Sequence, residues 1–468
     1  MAKSEALLPK RRLDGLTPLK TWVFGTGHLL NDICAAIWFN YGMVYFASVQ
    51  KISPFAIGII ILIGQVADAA ATPLVGFLAD RYNSRLGKRT PWYIFGTAIM
   101  PVCFMLLFFP CLICEQASSD STRVAIEATW FTIFASAENI GWAAIQIAHL
   151  SLIPALTPVK ERRDTLISIR NAFTFIANIL VLLLALALFR MLEDAREQFL
   201  MLAGVTVSLG VLTNLLFLFV IKEKPLCQIA EKGYEELANL SLVESAAPQV
   251  TWRHWLQKPQ LYCVGLLYMV ARLGNNFTTS MIPLFLLYVL DVQATGGSTG
   301  ESTVNMPWEL AAISLAMYST SVVTSFTQDR MHWKSRRLVF LIGCVFLAAG
   351  GVPLIVLEAE AKYALIGLAC LLGVGFCCCM NAAVGMISAF IGRDASSGAF
   401  VWGIMGFLDK LSSGLMIFLV TNLGDLTDSD YIRGMTSSLL LGCAGLGAVG
   451  ALFVEDFREV SEKEAQFL

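Results

Sequence analysis

Charged side chains are few in this chain: Asp, Glu, Lys and Arg together make 15% of its 468 residues, against 56% hydrophobic. A soluble domain could not keep that much apolar surface from water, so the excess must face lipid. Charge of one sign is missing too. The formal net charge is −2 and no basic run is long, which argues against nucleic acid as a partner. There is no Walker motif or other nucleotide-binding loop, which argues against ATP-driven pumping. No nucleophile–base pair and no metal-ligand constellation stands out, so the chain is expected to be neither an enzyme nor the holder of a metal or cofactor. No cleavable secretory signal opens it: the first twenty residues are polar and basic, and the first apolar stretch is a full span. A disulfide framework is absent as well, because nearly all of the 12 cysteines fall inside apolar segments, where they read as small hydrophobes. Cys111-x-x-Cys114, at the non-cytoplasmic end of one such segment, could be a redox pair or simple packing.

What is present is a set of apolar runs of membrane-crossing length, roughly 20 residues each. Twelve are read, near 21–47, 54–79, 92–114, 124–153, 168–192, 199–221, 259–290, 308–328, 337–357, 362–391, 398–423 and 432–454. The long polar stretch 222–258 divides them six and six and shows little hydrophobic periodicity, as a linker would. The expected organisation is therefore a tail over 1–20, a six-helix bundle over 21–221, the linker, a second bundle over 259–454 and a tail over 455–468. Lys and Arg set the orientation. With the N-terminus in the cytoplasm, 24 of them fall on the cytoplasmic side and 6 on the other, while Arg170, Arg272 and Lys410 stay within or at the edge of the membrane. Both termini are thus expected to be cytoplasmic. The loop after span two (Asp80-Arg81 through Lys88-Arg89) and the loop after span eight (Asp329-Arg330 through Arg336-Arg337) share an acid-plus-basics pattern. A parallel repeat of that kind marks transporters.

An ionisable side chain in hydrocarbon costs at least ~2.5–3.5 kcal/mol on insertion scales, so it marks a site or a wet cavity. On the first span His28, Asn31 and Asp32 share one helix face; on the second, Gln65, Asp68 and Thr72 do. Glu138, Trp142, Gln146 and His149 form a stripe on the fourth, Arg272, Asn275 and Asn276 a face on the seventh, and Lys410 and Ser413 lie one turn apart on the eleventh. Such faces point inward, as binding groups or as interhelical hydrogen bonds; packing is the simpler reading for His28, His149 and the asparagines. Adjacent helix residues point about 100° apart, so Asp409 and Lys410 cannot serve the same partner.

Gly76-x-x-x-Asp80-Arg81 resembles the loop motif of the major facilitator superfamily. Its continuation, Ser84-Arg85-x-Gly87-Lys88-x-x-Pro91-Trp92, with Ser151-Leu-Ile-Pro154, Glu161-Arg162 and Arg170-x-x-Phe173, resembles the glycoside–pentoside–hexuronide, or melibiose-permease-like, branch. A further string (Gly27-His28-x-Leu-Asn31-Asp32, Gly64-Gln65-Val-Ala-Asp68, Thr72-Pro73-Leu-Val-Gly76, Ser397-Gly398-Ala-Phe-Val401, Phe407-Leu-Asp409-Lys410) is similar to a eukaryotic group of that superfamily associated with lysosomes, melanosomes, pigmentation and cysteine import. The resemblance implies an all-α membrane protein with the major facilitator fold, 12 transmembrane helices in two six-helix bundles, working by alternating access. It implies a lysosomal and melanosomal location and import of cysteine or another small zwitterion. Transport driven by a proton gradient through Asp68 or Asp32 and passive transport are both open, and a monomer in the lipid bilayer is expected.

It also picks Lys410 over Asp409 as the cavity residue, with Asp68 as its expected neighbour. Asp32 and Arg170 fall where the sugar carriers bind substrate. The departures matter as much: two of the three cation-site acids of those carriers become Thr72 and Gln146, and the sugar-stacking tryptophan becomes Leu150. Sodium and sugar are disfavoured by those losses, and a cation-coupled sugar or lysolipid symporter remains the alternative, with a non-transporting receptor or scaffold as a second. The candidate binding and coupling set is therefore Asp32, Asp68, Lys410, Arg170, Gln146, Thr72, Glu138, Arg272, His28, Asn31 and Gln65. Asp80, Arg81, Arg85, Lys88 and Arg89 are expected to clamp a cytoplasmic gate.

Overall fold

The amphipathic or wholly apolar runs become helices. A computed structural model describes residues 14–111, 113–114, 119–239, 252–292, 306–331, 335–391 and 398–454, with the side chains of 80, 160, 237–239, 252, 329–331 and 398–399 outside that description. Among the described residues no β-strand forms. The helices are α1 (Pro18–Thr26), α2 (Leu29–Ile37), α3 (Pro54–Arg81), α4 (Thr90–Phe108), α5 (Asp120–Leu156), α6 (Lys160–Met191), α7 (Ala195–Val220), α8 (Glu223–Asn239), α9 (Trp252–Leu256), α10 (Pro259–Leu284), α11 (Glu309–Met331), α12 (Arg336–Gly351), α13 (Ala364–Ile391), α14 (Gly398–Leu423) and α15 (Ser429–Phe453).

Ten helices among the described residues are long and apolar enough to cross a membrane, and each matches one of the expected spans. The other two expected spans are the ones that carry polar residues on an irregular backbone. The first consists of α1 and α2 followed by π-helical turns at Trp38–Gly42 and Tyr45–Val49, so no single piece is long. At the break between α1 and α2 the Tyr93 hydroxyl donates to the Gly27 carbonyl at 2.6 Å, which satisfies a group the helix leaves open. The seventh is α10, which carries Arg272, Asn275 and Asn276 and runs on into a π-helical turn at Phe285–Val289. Such turns occur in membrane proteins where the freed backbone groups are met by protein.

Helix starts follow capping chemistry. Ser119, Ser335 and Asp428 each accept a backbone N–H of the first turn with their side chains, and Pro stands in the first turn of α1, α4 and α10. The outward faces remain apolar, with Leu212, Phe219, Phe326 and Val345 all more than 60% exposed, as a lipid-contacting surface requires.

The chain divides into two compact units. Of the described residues, one unit holds 14–38, Ile59–Leu188 and 196–239. The other holds Phe39–Gly58, Phe189–Ala195 and everything described from 252 onward. In the first, α4 lies along α5, with α8 against α5; a core of Phe24, Tyr93, His149 and Phe217 rings sits under the α1–α2 break. In the second, α13 packs against α11 and α12, and α10 against α13, α14 and α15.

The stretch after Lys222 departs from the aperiodic linker expected of it. It forms α8, whose buried Glu223, Leu226 and Ala230 follow helical spacing and seat it on the first unit. Tyr234 of α8 donates to the Pro154 carbonyl at 3.0 Å. Beside it the chain entering α1 is pinned: the Asp14 carboxylate, fully buried, receives Thr157 at 2.6 Å and a forked pair of bonds from Arg162 at 3.0 and 3.2 Å.

Candidate functional site

In the first unit the polar residues of α2, α3, α5 and α6 are organised around buried acids. Asp32, 6% exposed, accepts Thr174 on one oxygen at 2.9 Å and faces His28 Nδ1 at 3.1 Å on the other. Arg170 Nη2 lies 3.2 Å from the His28 ring nitrogens. Guanidinium can only donate, so a neutral His28 that gives its Nδ1 proton to Asp32 accepts Arg170 on Nε2. The sequence treats Arg170 and Asp32 as separate ligands; the structure joins them through His28. His28, for which packing is the simpler reading, is thus the bridge of an Arg170–His28–Asp32–Thr174 chain.

Asn31 turns away from that chain and donates to the Trp142 carbonyl at 3.1 Å, and Trp142 Nε1 donates to Gln146 at 3.2 Å one turn on. Asp68, 5% exposed, accepts the Thr72 hydroxyl at 3.2 Å; Gln65 lies buried one turn before it on α3. Glu138 on α5 is 3% exposed and electrostatically coupled to Asp68 as a like charge. Its Oε2 accepts Asn139 at 3.0 Å and its Oε1 has no hydrogen-bond partner. His149 packs flat on Phe24, with ring centroids 4.3 Å apart, and its Nε2 meets the Phe24 carbonyl oxygen at 2.8 Å, so its role is packing.

In the second unit the eleventh span carries an ion pair that sequence reasoning does not assign. Arg272 on α10 forms an ion pair with Asp409 on α14, at 2.7 Å from Nη2 and 2.8 Å from Nε. Asn276 donates to both Asp409 and Ser413 at 3.2 Å. Neighbours 409 and 410 do face different sides of α14, but Asp409 is the one turned toward α10, while the half-buried Lys410 points elsewhere around the helix. Sequence reasoning sets Asp409 aside in favour of Lys410, and the i,i+4 spacing of Asp409 to Ser413, matching Arg272 and Asn276, is the signal that points to its partners.

At the loop between α3 and α4, the Arg81 guanidinium lies over the Phe77 ring at 3.9 Å, Arg85 is exposed, and Asp80's side chain lies outside the described residues. Lys88 and Arg89 act here through their backbone, and Arg89 also through its guanidinium, which donates to Ser151 at 3.2 Å and lies 3.8 Å from Glu223. With Thr90, their N–H groups point at the Glu223 carboxylate of α8, at 2.7–3.1 Å, and the Thr90 hydroxyl joins at 2.7 Å. Gly87, at φ +126°, permits the turn that aims these donors at one carboxylate. Glu223 was not among the expected gate residues. The counterpart loop after α11 falls largely outside the described residues. Cys111 and Cys114 form a disulfide, so the pair is covalent and not mere packing. No group of three or more His, Cys, Asp or Glu that could hold a metal ion occurs among the described residues.

The sequence matches the family model described as MFS/sugar transport protein over residues 23–454. Similar proteins include "Major facilitator superfamily domain-containing protein 12" of Equus caballus, 34% identical over 421 residues, covering 86% of this chain and 84% of the relative. The Homo sapiens protein of that name is 31% identical over 456 residues, covering 92% and 91%. Among solved structures, the inward open xylose transporter XylE from E. coli superposes with a TM-score of 0.63 at 15% identity, covering 96% of this chain and 98% of that one. That likeness shows the fold. With its membrane helices, its two helical units and a family match across nearly the whole chain, the protein belongs to the major facilitator superfamily, in the MFS/sugar transport protein family, and is a multi-pass secondary transporter, not an enzyme.

Proposed function

We propose that the protein carries a small zwitterion, cysteine foremost, from the cytosol into the lumen of lysosome- and melanosome-type organelles by alternating access. Asp32 and Asp68 receive the ammonium; Arg272 and Lys410 receive the carboxylate; Arg170, His28, Asn31, Gln65, Thr72, Glu138 and Gln146 order and tune the acids. A proton is the coupling ion of this reading. Asp80, Arg81, Arg85, Lys88 and Arg89 gate the cytoplasmic face, on which both termini lie, and the protein works as a monomer in the bilayer.

The observation that carries the reading is the state of the buried acids. Asp32 is held by a histidine and a hydroxyl, and no Lys or Arg ion pair to it is seen among the described residues, so its charge is left to meet a cation. Within the second unit Arg272 is a cation whose side chain is a third exposed. Sodium prefers several anionic oxygens, and here Thr72 uses its hydroxyl as a donor to Asp68 while Gln146 binds Trp142. The resemblance to the cysteine-importing group names the zwitterion.

Uptake of labelled cysteine by proteoliposomes tests this, with neutral amino acids, sugars and lysolipids as competitors and with imposed pH or sodium gradients. The expected result is saturable cysteine uptake that neutral amino acids inhibit, sugars do not, and a pH gradient stimulates. Uptake or inhibition by a sugar or lysolipid alone, driven by sodium, overturns the assignment.

A further inference from the structure

The Arg272–Asp409 pair has the features of an exchange site and not of a buried tie. Arg272 stands 13 residues into α10, about 20 Å along the helix and therefore near the middle of a core about 30 Å thick. Its side chain is 32% exposed, while that of Asp409 is 8% exposed. A guanidinium showing at that depth would be intolerable against acyl chains, so its open edge faces water. The pairing is also lopsided. Nη2 and Nε both converge on Asp409 Oδ2, whereas Oδ1 is held by Asn276 at 3.2 Å. Of the five donors of a guanidinium two are used, and among the described residues no other acceptor meets the rest.

The neighbours complete a carboxylate receptor. Tyr268, Arg272 and Asn276 lie at i, i+4 and i+8 along one face of α10, and Asp409 and Ser413 at i and i+4 on α14. Asn276 spans the rungs by reaching both Asp409 and Ser413, so it can keep hold of Asp409 when the arginine lets go.

We propose that Asp409 is the resident anion of an exchangeable carboxylate site: the carboxylate of the transported solute takes the Arg272 guanidinium, and Asp409 falls back on Asn276. This rests on the reading above that the solute carries a carboxylate, and it assigns that recognition to Arg272 with Asp409 as its built-in competitor.

Phenylglyoxal labelling of Arg272, read by peptide mass spectrometry on the purified full-length protein, tests the site without requiring transport. Asp409→Asn and Asp409→Ser, both checked for a monodisperse gel-filtration profile, should label about tenfold faster than wild type. Cysteine, alanine and 3-mercaptopropionate should protect both variants; cysteamine, which lacks the carboxylate, should not. In proteoliposomes Asp409→Asn should lower the KM for cysteine several-fold while slowing turnover, and Arg272→Gln should raise KM about tenfold or more. Unchanged labelling in the Asp409 variants, or protection by cysteamine equal to that by cysteine, overturns the proposal. Carboxylate protection without wild-type cysteine uptake sinks only the choice of cysteine and leaves the site standing.

Discussion

Replacing Glu223 with alanine removes one carboxylate that four donors share: the N–H groups of Lys88, Arg89 and Thr90 and the Thr90 hydroxyl, with the Arg89 guanidinium 3.8 Å away. Glu223 is only 3% exposed, so its charge is balanced by these groups rather than by water. Losing an N-terminal cap costs about 0.5–2 kcal/mol, and losing the negative charge at the start of α4 about 0.3–1 more. With partial rehydration of the half-exposed loop, a loss of about 2–3 kcal/mol is expected, or a local opening about 30- to 150-fold more populated. Glu223→Gln keeps one acceptor and should lose roughly half as much.

Two readouts report it. The amides of Lys88, Arg89 and Thr90 should exchange faster by that factor. Cys227, one turn along α8, is held by burial and by the Glu223 charge at a pKa of about 11 against an ordinary 9.0. Deprotonation is thereby suppressed about a hundredfold at neutral pH, so maleimide labelling should be slow in the wild type and accelerate when α8 lifts. Unchanged amide exchange and unchanged Cys227 labelling in both variants would refute the idea that this carboxylate clamps the loop to the helix.

Two other substitutions probe the scaffold. Gly141→Val adds atoms where a Cβ on α5 already comes within 3.0 Å of Met100 N on α4, so it should destabilise by about 1–3 kcal/mol, with Gly141→Ala milder; equal thermal midpoints for both and wild type would contradict the packing. Arg162→Ala leaves the buried Asp14 carboxylate with only the Thr157 hydroxyl and the Leu16 N–H, without a cation, a loss of about 2–4 kcal/mol that should shrink when Asp14→Asn is added; an additive double mutant would show the pair is uncoupled.

Much of the fold was legible because a membrane helix announces itself by length and apolarity. The α3 and α13 spans fall within a few residues of where hydropathy puts them. Helix α6 overshoots its apolar run because Glu161, Arg162 and Arg163 continue as helix beyond it. The break between α1 and α2 inside the first span was not legible, since it is met by Tyr93, far away in sequence. Helix α8 was hidden by its charge, although Leu226 and Ala230 keep helical spacing.

At the site, helical spacing found the pairs that share one helix: His28 with Asp32, Asp68 with Thr72. It failed across helices. Nothing in the sequence tells which of Asp409 and Lys410 turns toward Arg272, because that depends on the rotation of α14 about its axis. Nor could spacing show that Arg170 reaches Asp32 through a histidine on another helix.

The proposed mechanism makes transport depend on charges set within the membrane acting on a moving solute. Initial rates of cysteine uptake by proteoliposomes holding wild type, Asp32→Asn, Asp68→Asn or Lys410→Gln, at matched protein and with monodisperse samples, test that most directly. Each variant is expected to lose about tenfold or more. Near wild-type rates in all three would contradict that dependence.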